Sequence, residues 1–464
     1  MLTAPGPRRA AAVLAFLGMA GACTFSREKM VLRLDALAPP APGAVNIRNV
    51  EEKLQRGYIP EVVAFLTGPE ARKLDPEKGA HLLLQAKLET ADFAVAEAIA
   101  GWLLARPLRM ETRADVEWLR SQAAYWRGDF GAAARSADAS RAAGRGVPEG
   151  WITFLRSGEA RKPYEGPVAG ERTTLRFHYG RPNLIRLAVR VNGEAAGGMI
   201  LDSGASLSLL TEAAAARLGV EPVPGAVAPA RGLHQKEIPM RLGWARSVTL
   251  GTLTFRDVPF GILPDGALTF ETEALGLFSP DGVLGVHLMK ELDWRIEMAE
   301  RRIQAIRLDP DLRRGGPGQT IFLRRMKPMI RVSFNRQPWS LFLLDTGSEP
   351  TMVTPEGLVA NQYVGYEPSA PITLEGIGKT QVSWSKVSDI TLGLGRWGVW
   401  FKNLVVNEGG DAIGDGIVGM SFLSPFDLEL RFSLMTLSLE RSGGAGTAAR
   451  EPFSDLPETP RNPF

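Results

Sequence analysis

The chain has 464 residues, of which 45% are hydrophobic and 23% charged, so extensive disorder and collagen-like or coiled-coil architectures are excluded. The 54 Lys and Arg residues nearly balance the 51 Asp and Glu residues, and the net charge of +3 gives no electrostatic footprint for nucleic acid. With only 4 His and 1 Cys, an intramolecular disulfide is impossible, and we expect no metal and no cofactor.

Residues 1–23 have the layout of a secretory signal peptide. Arg8 and Arg9 precede an apolar run over residues 10–22, which is too short for a transmembrane helix and ends in small residues before Cys23. This ending resembles a bacterial lipobox, which implies lipidation of Cys23 and a membrane contact through the lipid alone. Ala20 stands where Leu is usual, so ordinary cleavage and an uncleaved anchor are the alternatives.

The expected location follows from this segment. We predict an exported lipoprotein of the cell envelope, on the periplasmic face of a bacterial membrane, with a soluble periplasmic or secreted protein as the alternative. Residues 24–46 contain the Pro-rich stretch APPAPG and are predicted to form a linker.

Residues 47–165 show the apolar spacing of α-helices. An aromatic residue follows a short turn sequence three times, at Tyr58, Phe93 and Phe130, with spacings of 35 and 37 residues. This period resembles tetratricopeptide (TPR-like) repeats, which implies helical hairpins that could bind a protein partner. The alternative is an irregular helical bundle whose aromatic residues are simply core.

The next region is β-rich and contains one unit written twice. Residues 199–206 (MILDSGAS) recur as residues 342–349 (FLLDTGSE), and residues 281–285 (DGVLG) recur as residues 415–419 (DGIVG). An Asn lies ten residues before each aspartate of the first motif, and a Thr lies nine residues after it: Asn192, Asn335, Thr211 and Thr354. Because these residues occur in the same order in both halves, the sequence predicts a duplicated β unit, over residues 170–310 and 316–441. Residues 442–464 are predicted to be a disordered tail.

Each D-[S/T]-G motif follows three apolar residues, which places Asp202 and Asp345 at the ends of buried strands. Gly204 and Gly347 let the chain turn at once and approach its twin closely. If the two halves pack about a pseudo-twofold axis, the two carboxyls meet and share one proton. One carboxyl then activates a water molecule as base, and the other acts as acid toward a carbonyl oxygen.

These motifs resemble those of aspartic proteases, with halves similar to bacterial retropepsin-like domains in a bilobal, single-chain form. The resemblance implies an α+β multidomain chain, in which the helical hairpins precede a two-lobed all-β unit of the pepsin/retropepsin type. It implies catalytic Asp202 and Asp345 in a cleft between lobes that pair within one chain, so that a monomer is sufficient. It also implies catalytic-loop support from Ser203, Gly204, Thr346, Gly347 and Ser348. Ser348 could donate a hydrogen bond to Asp345 that Ala205 cannot offer to Asp202.

The same resemblance implies flaps over the cleft. Gly376, Ile377 and Gly378 fit a flap of the second lobe, and Gly232 fits a poorer counterpart in the first, with surface hairpins as the alternative. Asp281 and Asp415 are interpreted as turn residues rather than a second acidic pair, and His287 as a structural histidine. The departures are the absence of the Arg-Asn or Arg-Asp that often follows the second motif in viral enzymes, and of a flap tyrosine.

The predicted function is that of an aspartic endopeptidase acting on polypeptides. The alternatives are a catalytically silent peptide-binding protein and a scaffold of the cell envelope that uses the same cleft. Because the helical block precedes the β units, a further hypothesis is that it occludes the cleft as a pro-segment does.

Overall fold

The structure is a computed structural model that describes residues 29–33, 43–180, 182–231, 237–272, 276–309, 315, 318–335, 339–363, 367–368, 372–374, 380–382, 384–408 and 414–443. It contains an N-terminal strand, a helical region over residues 50–157, a first β unit over residues 172–307 and a second β unit over residues 321–441. Among the described helices, none has the length and apolarity needed to cross a membrane.

The N-terminal strand and the helical region come first in the chain. Their elements are β1 Lys29–Arg33, α1 Val50–Gln55, α2 Ile59–Thr67, a 3-10 helix Pro69–Lys73, α3 Pro76–Glu89, α4 Phe93–Leu104, α5 Met110–Arg127, α6 Phe130–Ala142 and α7 Glu149–Ser157.

The predicted aromatic repeat marks the turns of three helical hairpins. Tyr58, Phe93 and Phe130 are buried and lie where α2, α4 and α6 begin. Each turn contains a left-handed residue, at Gly57, Ala91 and Gly128. The spacing of the aromatics therefore encodes a repeated turn that pairs α1 with α2, α3 with α4, and α5 with α6.

The first β unit is built mainly from antiparallel strands. Its elements are β2 Arg172–Gly180, β3 Leu184–Val191, β4 Glu194–Leu201, β5 Ser208–Thr211, α8 Glu212–Arg217, β6 Glu221–Arg231, β7 Glu237–Leu250, β8 Leu253–Leu263, β9 Phe270–Thr272, β10 Gly276–Phe278, β11 Gly282–Leu284, α9 Val286–Met289, β12 Leu292–Glu297 and β13 Arg302–Arg307.

The second β unit repeats much of this order. Its elements are β14 Ile321–Arg324, β15 Lys327–Phe334, β16 Trp339–Leu344, β17 Met352–Val353, α10 Pro355–Ala360, β18 Glu367–Pro368, β19 Ile372–Leu374, β20 Thr380–Val382, β21 Trp384–Leu394, β22 Trp397–Asn407, β23 Gly416–Val418, α11 Met420–Leu423, β24 Phe426–Arg431 and β25 Thr436–Arg441.

The landmarks that recur in the sequence occupy equivalent places in the two units. Asn192 and Asn335 both have left-handed backbones, which Asn tolerates better than most residues. The side-chain oxygen of each accepts a backbone N–H, from Ser247 at 3.1 Å and from Thr391 at 2.7 Å. The two repeated threonines begin the helices that follow: Thr211 and Thr354 cap α8 and α10 with their hydroxyl groups.

Strands near the end of each unit pair with each other and so join the two units. β12 of the first unit pairs antiparallel with β24 of the second, from Asp293–Arg431 to Ile296–Leu428. This pairing continues a sheet in the order β25-β24-β12-β13-β2, so the backbone of both units runs through one hydrogen-bonded layer.

The helical region packs on the second unit through a separate apolar cluster. Its buried members are Val50, Leu54, Ile59, Val62, Leu82, Ala86, Phe322, Met329, Leu341, Leu343, Met352, Val405 and Ile417. At its edge, Arg324 of β14 donates two hydrogen bonds of 3.1 Å to Glu89 and one of 2.7 Å to the Leu54 carbonyl. Burial raises the pKa of Glu89, and Arg324 counters that effect.

The helical region also packs on the first unit. His287 of α9 is buried, and its Nδ1 lies 2.5 Å from the Tyr164 hydroxyl. Its Nε2 lies 3.0 Å from the Tyr125 carbonyl oxygen of α5. Trp244 of β7 donates to the Ser157 hydroxyl at 2.9 Å and stacks on Phe154. His287 is thus a structural residue, as the sequence analysis proposed.

Two expectations differ from the observed fold. Residues 29–33, within the segment predicted as a linker, form β1 and pair antiparallel with residues 397–401 of β22. Lys29 also donates to the Ser421 carbonyl at 2.7 Å. The helices also pack against the hydrophobic cores of both units. This packing is that of an integral brace rather than of a removable pro-segment.

We predict that replacing Arg324 with Met lowers the free energy of unfolding by about 2 to 4 kcal/mol, because Glu89 would stay buried without its cation. The measurement is urea-induced unfolding followed by tryptophan fluorescence. Arg325→Met is the matched control, because Arg325 is the exposed neighbour in the same turn. Equal unfolding midpoints for the two variants would contradict the bracing role of the Arg324–Glu89 pair.

Candidate active site

The two repeated turns hold their aspartates at the ends of parallel strand pairs. β4 pairs in parallel with β11, and the Asp202 N–H donates to the Leu284 carbonyl at 3.0 Å. β16 pairs in parallel with β23, and the Asp345 N–H donates to the Val418 carbonyl at 3.1 Å. The second repeated motif therefore lies beside each aspartate.

Crossed hydrogen bonds join the two turns. The Ser203 hydroxyl donates to the Leu344 carbonyl at 2.8 Å and accepts the Thr346 N–H at 3.0 Å. The Thr346 hydroxyl donates to the Leu201 carbonyl at 2.7 Å and accepts the Ser203 N–H at 3.0 Å. Both side chains are almost fully buried, so no water replaces these partners. We call these four hydrogen bonds the crossed-hydroxyl grip.

The grip brings each glycine against the opposite carboxyl. A Cβ on Gly204 would collide with the carboxyl group of Asp345, and a Cβ on Gly347 would collide with that of Asp202. Only glycine permits this approach at either position. The two carboxyls consequently lie close together across the contact between the units, and each affects the pKa of the other.

The two carboxyls differ in their backbone partners. Asp202 Oδ1 accepts the N–H groups of Gly204 at 2.8 Å and Ala205 at 2.9 Å. Asp345 Oδ1 accepts the Gly347 N–H at 2.9 Å. Hydrogen bonds to a carboxylate favour its ionised form. The additional N–H therefore favours ionisation of Asp202 relative to Asp345.

Burial and mutual repulsion act in the opposite direction. Burial and the adjacent charge of Asp202 raise the pKa of Asp345 to about 8. Burial also raises the pKa of Asp202, against the effects of Lys327 and of the Ala205 N–H. Together these effects favour a single proton shared by the two carboxyls.

The predicted hydrogen bond from Ser348 to Asp345 is not formed. The Ser348 hydroxyl donates to the Pro350 carbonyl at 2.9 Å instead. The chain bends at Glu349 and Pro350, which brings that carbonyl within reach, and Ser348 thereby supports the turn rather than the carboxyl.

Lys327 is the residue near the pair that sequence analysis missed. This partly buried lysine interacts electrostatically with both aspartates, most strongly with Asp345. Burial lowers the pKa of Lys327, and the two carboxyls counter that effect. The available signal was its position, 18 residues before Asp345 and across the turn at Asn335.

The remaining predicted residues fall into two groups. Asp281 and Asp415 bind backbone N–H groups of neighbouring strands, at Gly197 and Leu341, which agrees with their interpretation as turn residues. The proposed lipidation and flap residues lie outside the described residues: Cys23, Gly232, Gly376, Ile377 and Gly378. Within the described ranges, no three His, Cys, Asp or Glu side chains cluster so as to hold a metal ion.

Part of the chain is similar to a known family. Residues 187–288 match the family model described as aspartyl protease. The matched stretch contains Asp202 and the motif at residues 281–285. It covers less than a quarter of the chain and ends before Asp345. No curated protein matches the chain significantly.

Solved structures that resemble the chain include two aspartic proteases. A retropepsin-like aspartic protease from Rickettsia conorii is 17% identical, with a TM-score of 0.21, over 30% of this chain and 94% of its own. An aspartic proteinase from Irpex lacteus is 12% identical, with a TM-score of 0.37, over 59% of this chain and 98% of its own. Both TM-scores are below 0.5, so neither likeness carries a functional inference for this chain.

Proposed function

We propose that the protein is an aspartic endopeptidase in which Asp202 and Asp345 activate a water molecule to hydrolyse peptide bonds. The observation that carries this proposal is the contact between the two carboxyls, which the crossed-hydroxyl grip and the paired glycines impose. The aspartyl protease family match over the first half of the site supports it independently.

The asymmetry of the pair suggests how the roles divide. Asp202, with two N–H donors, is the carboxylate that removes a proton from the attacking water. Asp345, with its raised pKa, carries the proton and donates it to the carbonyl oxygen of the substrate. Collapse of the hydrated amide then returns a proton to the departing nitrogen, and no covalent enzyme intermediate forms. The pair titrates as a unit, so the pH range of activity belongs to both residues together.

The alternative of a silent peptide-binding or scaffold protein receives less support. Two buried carboxyls in contact cost stability, because each disfavours ionisation of the other. A protein that only bound peptides would gain nothing from keeping them, nor from glycine at both contact positions. The substrate class we propose is therefore polypeptide, cleaved within one chain that supplies both lobes.

Export and lipidation at Cys23 form a second part of the proposal. Only five residues separate Cys23 from β1, which is part of the second β unit through its pairing with β22. At about 3.5 Å per residue, a lipid on Cys23 would lie within roughly 20 Å of that strand. The enzyme would thus stand close to the membrane surface rather than on a long tether. The three hairpins over residues 50–142 would remain available to a protein partner at their exposed faces.

We predict that Asp202→Asn and Asp345→Asn each lower kcat/KM by about 10²- to 10⁴-fold, because each removes one half of the acid–base pair. The measurement is cleavage of a mixed peptide library between pH 3 and 8, with products identified by mass spectrometry. The mature chain after residue 23 is compared with both variants.

Asp281→Asn is the matched control for those variants. It makes the same chemical change at a turn aspartate of the first unit, and most of the activity should remain. The endopeptidase proposal would be abandoned if the unmodified protein cuts no peptide, or if cutting persists unchanged in both dyad variants.

The crossed-hydroxyl grip predicts a separate effect. Thr346→Val should lower the free energy of unfolding by about 2 to 4 kcal/mol, because the Ser203 N–H and the Leu201 carbonyl lose a buried partner. It should also lower kcat by about 10-fold or more, since the carboxyls are no longer held in register. Thr346→Ser keeps the hydroxyl and should stay close to wild type in both measurements. Similar losses in the Val and Ser variants would instead assign the effect to the methyl group.

For the anchor, we predict that Cys23→Ala abolishes incorporation of a clickable fatty acid and moves the protein from the membrane to the soluble fraction. Cell fractionation of a bacterial expression host and labelling with an alkyne fatty acid provide the two measurements. Membrane retention of an unlabelled wild-type protein would argue for an uncleaved anchor instead.

A further inference from the structure

Strand register places a lysine opposite one aspartate of the pair. β15 and β16 pair antiparallel, with Met329 opposite Leu343. Two residues further along the same register, Lys327 comes opposite Asp345. Residues opposite each other in an antiparallel pair project from the same face. The ammonium group consequently acts on Asp345 first and on Asp202 second.

The position of Lys327 is fixed by a tight turn. Arg324 of β14 pairs with Lys327 of β15, and the two residues between them, Arg325 and Met326, both have positive φ, of 49° and 60°. A two-residue turn of this kind matches the twist of a β-hairpin and sets its register. This turn therefore fixes the backbone of Lys327, and the residue is partly buried.

The equivalent position of the first β unit carries no charge. Its β3 and β4 strands pair with Leu187 opposite Met199 and Arg186 opposite Ile200. By the same extension, Leu184 comes opposite Asp202, and Leu184 is buried. Leu184 and Lys327 lie 18 residues before their aspartates, so they are equivalent positions in the duplicated unit. One copy carries an apolar side chain there and the other a cation.

Other charged groups on the surrounding elements have different partners. Arg324 binds Glu89, Glu349 accepts the Asn183 side-chain N–H at 2.5 Å, and Arg325 acts on Lys327 itself. Asp281 and Asp415 accept backbone N–H groups, Asp281 also pairs with Arg217, and His287 contacts Tyr164. Arg186 of β3 lies over the Phe278 ring, with its guanidinium carbon 4.7 Å from the ring centre. Among the described residues, Lys327 is the cation that acts on both carboxyls.

We propose that Lys327 is a positioning residue whose ammonium group balances the negative charge of the Asp202–Asp345 pair and keeps that pair singly protonated over the working pH range. The inference rests on the proposed function, since it concerns the same pair. A shared proton leaves the two carboxyls with one negative charge. With the positive charge of Lys327, the three groups together carry no net charge. Without the cation, the two carboxyls would hold a second proton to higher pH, and the doubly protonated pair has no base.

The test compares the pH dependence of kcat/KM in Lys327→Met, Lys327→Arg and Arg325→Met. An adjacent opposite charge lowers a carboxyl pKa by about one unit or more, so Lys327→Met should move both the acidic and the alkaline limits of activity upward by about that amount. Lys327→Arg keeps the charge and should keep the wild-type limits. Arg325→Met removes an exposed charge from the same turn and should also keep them. Unchanged limits in Lys327→Met, or equal shifts in the Met and Arg variants, would overturn the inference.

A second measurement does not depend on peptide cleavage. Because the pKa of Asp345 is raised to about 8 in the folded protein, the protein loses stability as pH rises from about 4 to 8, where this group is ionised in the unfolded chain and protonated in the folded one. Removal of Lys327 raises that folded pKa further, so the loss continues to a higher pH in Lys327→Met. The difference in unfolding free energy between wild type and Lys327→Met should therefore grow as pH rises above about 8.

The two measurements separate the two proposals. A difference that does not change with pH would overturn the role of Lys327 whatever the activity. A growing difference in a protein that cuts no peptide would support Lys327 and refute the endopeptidase proposal. Lys327→Leu, which copies Leu184 of the other unit, provides a second uncharged variant if Lys327→Met folds poorly.

Discussion

The crossed hydrogen bonds between Ser203 and Thr346 are the constraint on which the site depends. Each hydroxyl satisfies one N–H and one carbonyl of the opposite unit, and both lie where water does not reach. A buried polar group without a partner costs free energy, so sliding or rotating one unit against the other would break several bonds together. The turns can therefore meet in one register only. That register places Gly204 and Gly347 against the opposite carboxyls.

The crossed hydrogen bonds hold the two carboxyls together against their mutual repulsion, and other contacts keep the two units in place. Two buried carboxyls repel each other once ionised, and burial alone disfavours their charge. The β12–β24 pairing fixes the two units behind the site through the backbone. The helices add a second connection, because α1 to α3 cover the apolar cluster of the second unit while α5 and α7 contact the first. A region that closes core surface on both units is better described as a brace than as a cover over the cleft.

The parts predictable from sequence were those encoded locally. The D-[S/T]-G turns, the left-handed Asn192 and Asn335, and the capping Thr211 and Thr354 each depend on the conformational preference of one residue type. These residues recur at the same distances from each aspartate, so both aspartates could be identified from the repeat alone. The sequence does not show which hydroxyl bonds to which group, since that depends on the packing of two distant turns. Ser348 illustrates this limit, because a carbonyl two residues away competes successfully for its hydroxyl.

Contacts across strands and between domains were not predictable in the same way. Arg324 and Glu89 are 235 residues apart, and neither position carries a pattern that points to the other. β1 was not predicted for a different reason, since it is five residues long and its strand partner, β22, is distant in sequence. Lys327 lay between these cases. The turn at Asn335 implied a hairpin, and the register of that hairpin places the lysine opposite Asp345, but the register is fixed only once the strands are paired.

The duplication gives this site a freedom that two identical chains would lack. In a symmetric pair, each aspartate necessarily has the same neighbours, and any asymmetry must come from the substrate or the shared proton. Here, Asp202 has Leu184 opposite it and a second N–H donor, whereas Asp345 has Lys327 opposite it and a single N–H donor. Because the two copies are covalently joined, each can change without altering the other. A second N–H donor can then favour ionisation of Asp202 alone, while Lys327 offsets the negative charge of the pair as a whole.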